Sequence, residues 1–146
     1  MMNIETLLQA YQKAPKRLLL LDYDGTLVRF YPTPPDAKPS PQVRAILTQL
    51  TADPKNTVVV ISGRDQQTLE AWLGDLPLRV IAEHGLSYRD ESGSWHTHQP
   101  DTSWKPTVRK IMQPHCDNIP GTFIEEKMAS LCWHYRNASD PAQVTL

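Results

Sequence analysis

The chain has 146 residues, 40% of them apolar and 21% charged, a soluble globular composition with room for a real core. The net charge of −1 excludes a basic field for nucleic acid and a polybasic membrane patch, so neither is an expected partner. Apolar runs such as Leu18 to Leu21 are far too short to cross a bilayer, the N-terminus lacks the marks of a signal peptide, and Cys116 and Cys132 lack metal-ligand spacing. The expectation is a cytoplasmic protein with reduced thiols.

Ile4, Leu7, Leu8 and Tyr11 recur at helical spacing, which predicts an amphipathic helix over residues 3 to 13, ended by Pro15. "RLLLLDY" reads as a strand buried on both faces, because it is apolar without alternation. "FYPTPPDAKPSP" holds five prolines in twelve residues and is a stiff surface loop. Ser40 looks like an N-cap with Pro41 at the first helical position. "NTVVVISG" is a second buried strand, "RDQQTLEAWLG" a helix closed by Gly74, and "LRVIAEHG" a third strand ending in a turn. "LSYRDESGSWHTH" alternates around Ser92-Gly93 as a hairpin. A helix begins near Ser103, and "GTFIEEKMASLCWHYRNA" makes two strands with a turn at Met128-Ala129. The strand–helix alternation of the first half argues for an α/β fold: a Rossmann-like parallel sheet core, of which only the first strands are present. Residues 1–100 form that core, and residues 101–146 are part of a small α+β cap.

In a parallel α/β sheet, ligands sit beyond the carboxyl ends of the strands. Asp22 ends the first strand, and Asp24, two residues on, faces the same way in an extended segment. Gly25 permits a sharp turn and Thr26 adds a hydroxyl. Two converging carboxylates repel each other, and a bound divalent cation such as Mg²⁺ relieves this while bridging to a phosphate. That divides the work: Asp22 attacks phosphorus, and Asp24 moves the protons. Ser62, Gly63 and Arg64 end the second strand with a hydroxyl, backbone N–H groups and a planar fork, all suited to phosphoryl oxygens. The alternative for that stretch is a helix cap by Ser62 or Asp65.

Together these residues resemble the haloacid dehalogenase-type phosphatase superfamily, with "LDYDGTL" as its first motif and "VVVISGR" as its second. "ISGRD", "IAEHG" and "PGTFIEEKMASLCWHYRNA" resemble trehalose-6-phosphate phosphatases, especially the form fused to trehalose-phosphate synthase. The resemblance runs over roughly residues 16 to 141. It implies hydrolysis of trehalose 6-phosphate through an aspartyl-phosphate on Asp22. Asp22 and Asp24 hold Mg²⁺, Asp24 through its backbone carbonyl. Thr26, Ser62, Gly63 and Arg64 bind phosphate, His84 lines the site, and Glu125 and Lys127 on the cap bind the sugar. The strand period agrees with that pairing, since residues 125 and 127 face one side and Glu126 the other. His96 and His98 read as solvated, with no third ligand for zinc, and His134, among aromatics, reads as packing.

The family also carries a lysine and an acidic stretch after the cap, and neither is found here; Lys110 and Lys127 lie in the wrong segment. The expectation is a C-terminally incomplete, feeble or inactive chain, partnered by a trehalose-phosphate synthase domain or a complementing C-terminal fragment. The alternatives are a phosphatase for another sugar phosphate, or a non-catalytic sugar-phosphate-binding or regulatory fragment.

Overall fold

The computed structural model describes residues 3–139. They divide into two compact units. The first runs through Phe30 and from Ala37 to Thr97, and the second comprises Tyr31–Asp36 and the chain from His98 onward.

In the first unit, helix α1 (Ile4–Lys13) is capped by Asn3, whose side chain accepts the Glu5 N–H. Strands β1 (Arg17–Asp22), β2 (Asn56–Ile61) and β3 (Arg79–Ala82) run parallel, joined through α2 (Pro41–Ala52) and α3 (Gln66–Leu73). A hairpin, β4 (Ser87–Arg89) and β5 (Trp95–Thr97), extends the sheet antiparallel, giving the order β1-β2-β3-β4-β5. The caps are those the sequence implies. Ser40 accepts the Val43 N–H with Pro41 behind it, and Gly93 takes a positive φ in the hairpin turn. Two right-handed crossovers in the same direction put α2 and α3 on one face. That face is the core: Leu47, Leu69, Leu73, Val60, Val80 and Ala82 are buried.

The other face corrects the expectation for β1. Its burial alternates, with Leu18 61% and Leu20 59% exposed. Leu18, Leu20, Val59, Ile81 and Tyr88 line a shallow groove there. An unbroken apolar run records that both faces favour cover, but among the described residues only the Leu19/Leu21 side has it. Helix α1 behaves alike, with Ile4, Leu7 and Leu8 more than half exposed.

Arg89 is the polar centre of this unit. It is 3% exposed and donates to the carbonyls of Leu73, Gly74, Leu76 and Leu78 and to the Glu70 carboxylate. It thereby satisfies the orphan carbonyls at the end of α3. In the adjoining turn, Asp90 accepts from Ser92 and Ser94 and meets His96. These bonds, the Ser92 hydroxyl first, hold its carboxyl below the usual carboxylate range.

In the second unit, α4 (Lys105–Asn118) packs on the hairpin of β6 (Phe123–Glu126) and β7 (Leu131–His134). Glu126 turns towards α4, 3.1 Å from Arg109 and 3.6 Å from Lys105. Lys105 is buried, and its Nζ donates to the carbonyls of Lys127 and Met128. Arg136 and Asn137 bond the carbonyls of Tyr31 and Pro32, which ties that piece of the proline loop to this unit.

Candidate active site

The pairings Asp22↔Ile61 and Ile61↔Ile81 bring the carboxyl ends of β1, β2 and β3 into one row. The loops leaving them are stitched together. Ser62 N–H donates to Ile81 O, His84 N–H to Ser62 O, and Glu83 N–H to Arg64 O, at 2.9–3.1 Å. The first unit thus gathers Asp22, Asp24, Thr26, Ser62, Gly63, Arg64 and His84 along one sheet edge.

Tyr23 anchors the first loop. It is fully buried and donates its hydroxyl to Ala37 O at 2.8 Å. Its inward turn sends the side chains on either side, Asp22 and Asp24, outward, as the two-residue period requires. Asp22 is exposed, and Thr26 Oγ1 donates to its Oδ2 at 3.3 Å. Gly25 takes φ +93°, and a Cβ there would lie 2.9 Å from the Phe30 ring, so glycine is required on two counts.

Asp24 is held differently. Arg64 Nε donates to its Oδ2 at 3.0 Å and Nη2 to its Oδ1 at 2.7 Å. The guanidinium also lies 4.9 Å from the Trp72 ring and 5.6 Å from Tyr23. The fork expected to reach a phosphate is therefore engaged by Asp24, and its positive charge offsets part of the carboxylate repulsion. Asp22, with one oxygen on the Thr26 hydroxyl, offers the hard oxygen a divalent cation needs. Both oxygens of the Asp24 side chain are instead taken by Arg64.

Ser62 is buried, and its Oγ accepts the Arg64 N–H at 3.1 Å, keeping its own proton to donate. The cap of α3 is Asp65, which accepts from Thr68 N–H and Oγ1, so the two candidates for that role separate. His84 sits in an unusual turn: Glu83, His84 and Gly85 all have positive φ, at 45°, 56° and 107°. For the two non-glycine residues this conformation costs about 1–3 kcal/mol each. The turn presses the imidazole onto Gly63, where a Cβ would meet Nε2 at 2.4 Å.

The cap residues belong to the second unit. Glu125 projects from the hairpin face opposite α4, with Oε2 2.7 Å from His134 Nε2 and 3.6 Å from Lys127 Nζ. His134 also stacks on Phe123, ring centroids 4.6 Å apart. Reading His134 as packing alone misses its bond to Glu125. A turn at Met128-Ala129 already implies that register, with Glu125 opposite Cys132 and Phe123 opposite His134. Lys105, which pins the turn, left no comparable signal.

Residues 20–145 match the family model for trehalose-phosphatase. The chain belongs to the trehalose-phosphatase family. It is 42% identical over 140 residues to the bifunctional trehalose-6-phosphate synthase/phosphatase of Thermoproteus tenax, and 44% identical over 140 residues to the trehalose-phosphatase of Saccharomyces cerevisiae. These matches take 95% and 92% of this chain but only 19% and 16% of the relatives. The C-terminal domain of C. albicans trehalose-6-phosphate phosphatase superposes with a TM-score of 0.91 at 40% identity, covering 97% of this chain and 50% of that one. The fold is that of the haloacid dehalogenase-type phosphatases, and the chain spans half of the solved domain.

Proposed function

We propose that this chain carries the nucleophile and acid/base of a phosphatase that converts trehalose 6-phosphate to trehalose and phosphate. The observation that carries the proposal is the placement of Asp22 beside Ser62 and the Arg64-held Asp24 at one sheet edge of a family member. Asp22 Oδ1 attacks phosphorus while Thr26 holds Oδ2, and the bond from phosphorus to the sugar oxygen breaks. Asp24 gives that oxygen its proton. Asp24 then takes a proton from water, which attacks phosphorus and releases phosphate from Asp22. Because both Asp24 oxygens are bonded to Arg64, one must leave the guanidinium for each transfer, so Arg64 positions Asp24 and yields to it. Ser62 O–H and the Gly63 backbone hold phosphoryl oxygens, with His84 closing that side. Asp22 and the Asp24 carbonyl would hold Mg²⁺, which offsets phosphoryl charge when bound. Glu125 accepts from sugar hydroxyls and Lys127 donates to them. The synthase/phosphatase architecture named for a relative supports a synthase domain as partner.

The chain spans half of the solved domain it superposes on, and among the described residues β1 pairs on one side only. The test is a chimaera completed with the C-terminal half of the C. albicans domain. It should release phosphate from trehalose 6-phosphate with Mg²⁺ and lose this in Asp22→Asn. Binding without hydrolysis by the chimaera would overturn the enzyme reading. Equal rates on a panel of hexose phosphates, indifferent to Glu125→Ala and Lys127→Ala, would replace trehalose 6-phosphate with another sugar phosphate.

A further inference from the structure

We propose that Glu125, Cys132 and His134 form a binding site for a zinc-class divalent cation on the outer face of the β6–β7 hairpin. The register places Glu125 directly opposite Cys132, and His134, two residues on, shares that face. One carboxylate oxygen, Cys132 Sγ and a His134 ring nitrogen all lie within 4.8 Å of one another. Tetrahedral zinc, with bonds of about 2.0–2.3 Å, sets its ligand atoms roughly 3.3–3.8 Å apart. The 2.7 Å contact between Glu125 and His134 must open and the wider separations close for the metal to enter.

The donor set decides the metal class. Magnesium and calcium take oxygen, whereas one thiolate, one imidazole and one carboxylate suit zinc and its neighbours. All three residues are partly buried, so the ligands are neither splayed in water nor sealed away. The frame is firm: His134 is seated on Phe123, and the reverse face is fixed to α4 through Glu126 with Arg109 and Lys105. Three protein ligands leave the fourth position to water or an incoming group. Lys127 Nζ stands 3.6 Å from Glu125 Oε2. The carboxylate has two oxygens, so one can keep Lys127 while the other takes the metal. The ammonium weakens the site, which favours reversible occupation over a structural role. Spacing along the chain hides this set, because its geometry is made across two strands.

Metal at this site occupies the carboxylate that the proposed function assigns to the sugar, so zinc and trehalose 6-phosphate should exclude each other. That consequence rests on the sugar reading; the binding does not. The probe is Co²⁺ added to the full chain, since a thiolate ligand gives a sulfur-to-cobalt charge-transfer band that an oxygen site at Asp22 cannot give. The band should appear, survive excess Mg²⁺, disappear on adding Zn²⁺, persist in Cys116→Ser, and be lost in Cys132→Ser and weakened in His134→Gln. Zn²⁺ should also protect Cys132 of the unmodified chain from alkylation, a readout independent of whether the variants fold. Absence of the band, its survival in Cys132→Ser, or alkylation of Cys132 unchanged by Zn²⁺ would overturn the site. Metal binding with no displacement by trehalose 6-phosphate would keep the site and refute the sugar role of Glu125 instead.

Discussion

The pair of Asp24 and Arg64 makes a quantitative test of how the site is held. Its guanidinium is 13% exposed and its carboxylate 30%, and two hydrogen bonds join them in a fork. Exposed ion pairs contribute about 0.2–1 kcal/mol, while breaking a buried pair costs about 3–5 kcal/mol. This pair lies between, so a coupling energy of about 2 kcal/mol is expected. Arg64→Met also loses the contact with the Trp72 ring, worth about 0.5–1 kcal/mol, and should cost about 3 kcal/mol in all. Asp24→Asn should cost about 2 kcal/mol, and the double variant only about 3 kcal/mol, because the shared interaction is lost once. Urea unfolding of the four proteins gives the cycle, and repeating it at high salt should shrink the coupling only modestly, since the arginine is largely shielded. A coupling under about 0.5 kcal/mol would refute the clamp and free Arg64 for direct phosphate contact.

Three further outcomes follow from the same geometry. Arg89→Met removes the donor for four carbonyls and one of the donors to Glu70; it should cost about 3–5 kcal/mol in thermal melts, and a loss under about 1 kcal/mol would contradict its role. Gly63→Ala drives a methyl into the His84 ring, so it should shift the His84 imidazole signals in NMR and destabilise by about 1–3 kcal/mol, and adding His84→Ala should recover much of that loss. The depressed carboxyl of Asp90 stabilises the fold above its unfolded value of 3.8, and this is lost as pH falls further through the folded value. Asp90→Asn should therefore be less stable than the parent at neutral pH, with the gap closing only well below pH 3.8, as pH-dependent melts can show.

Local punctuation made most elements legible. Ser40-Pro41, Ser92-Gly93 and the Met128-Ala129 turn each impose one backbone solution, and the structure adopts it at all three. The row of Asp22, Ser62 and His84 was readable for a related reason, since parallel strands align their carboxyl ends whatever lies between them. What escaped depends on distant partners. Arg89 looks like any strand arginine until α3 ends beside it. The fork of Arg64 was anticipated, but its target was not, because nothing local distinguishes a phosphate from a carboxylate forty residues earlier. The exposed side of β1 was misread because composition states what a face favours and not whether it is covered.

Among the described residues β1 is an edge strand, and this bears on its backbone. The N–H groups of Arg17 and Tyr23 donate inward to Lys55 and Ile61, so by alternation those of Leu18, Leu20 and Asp22 point away from β2. Amide hydrogen exchange should therefore read this strand in two tones, slow at Leu19, Leu21 and Tyr23 and fast at Leu18, Leu20 and Asp22. The residue proposed to attack phosphorus owns the last outward rung. Thr26, four residues on, steadies its carboxylate, and a strand laid along the open side would pair with the backbone N–H of that same residue.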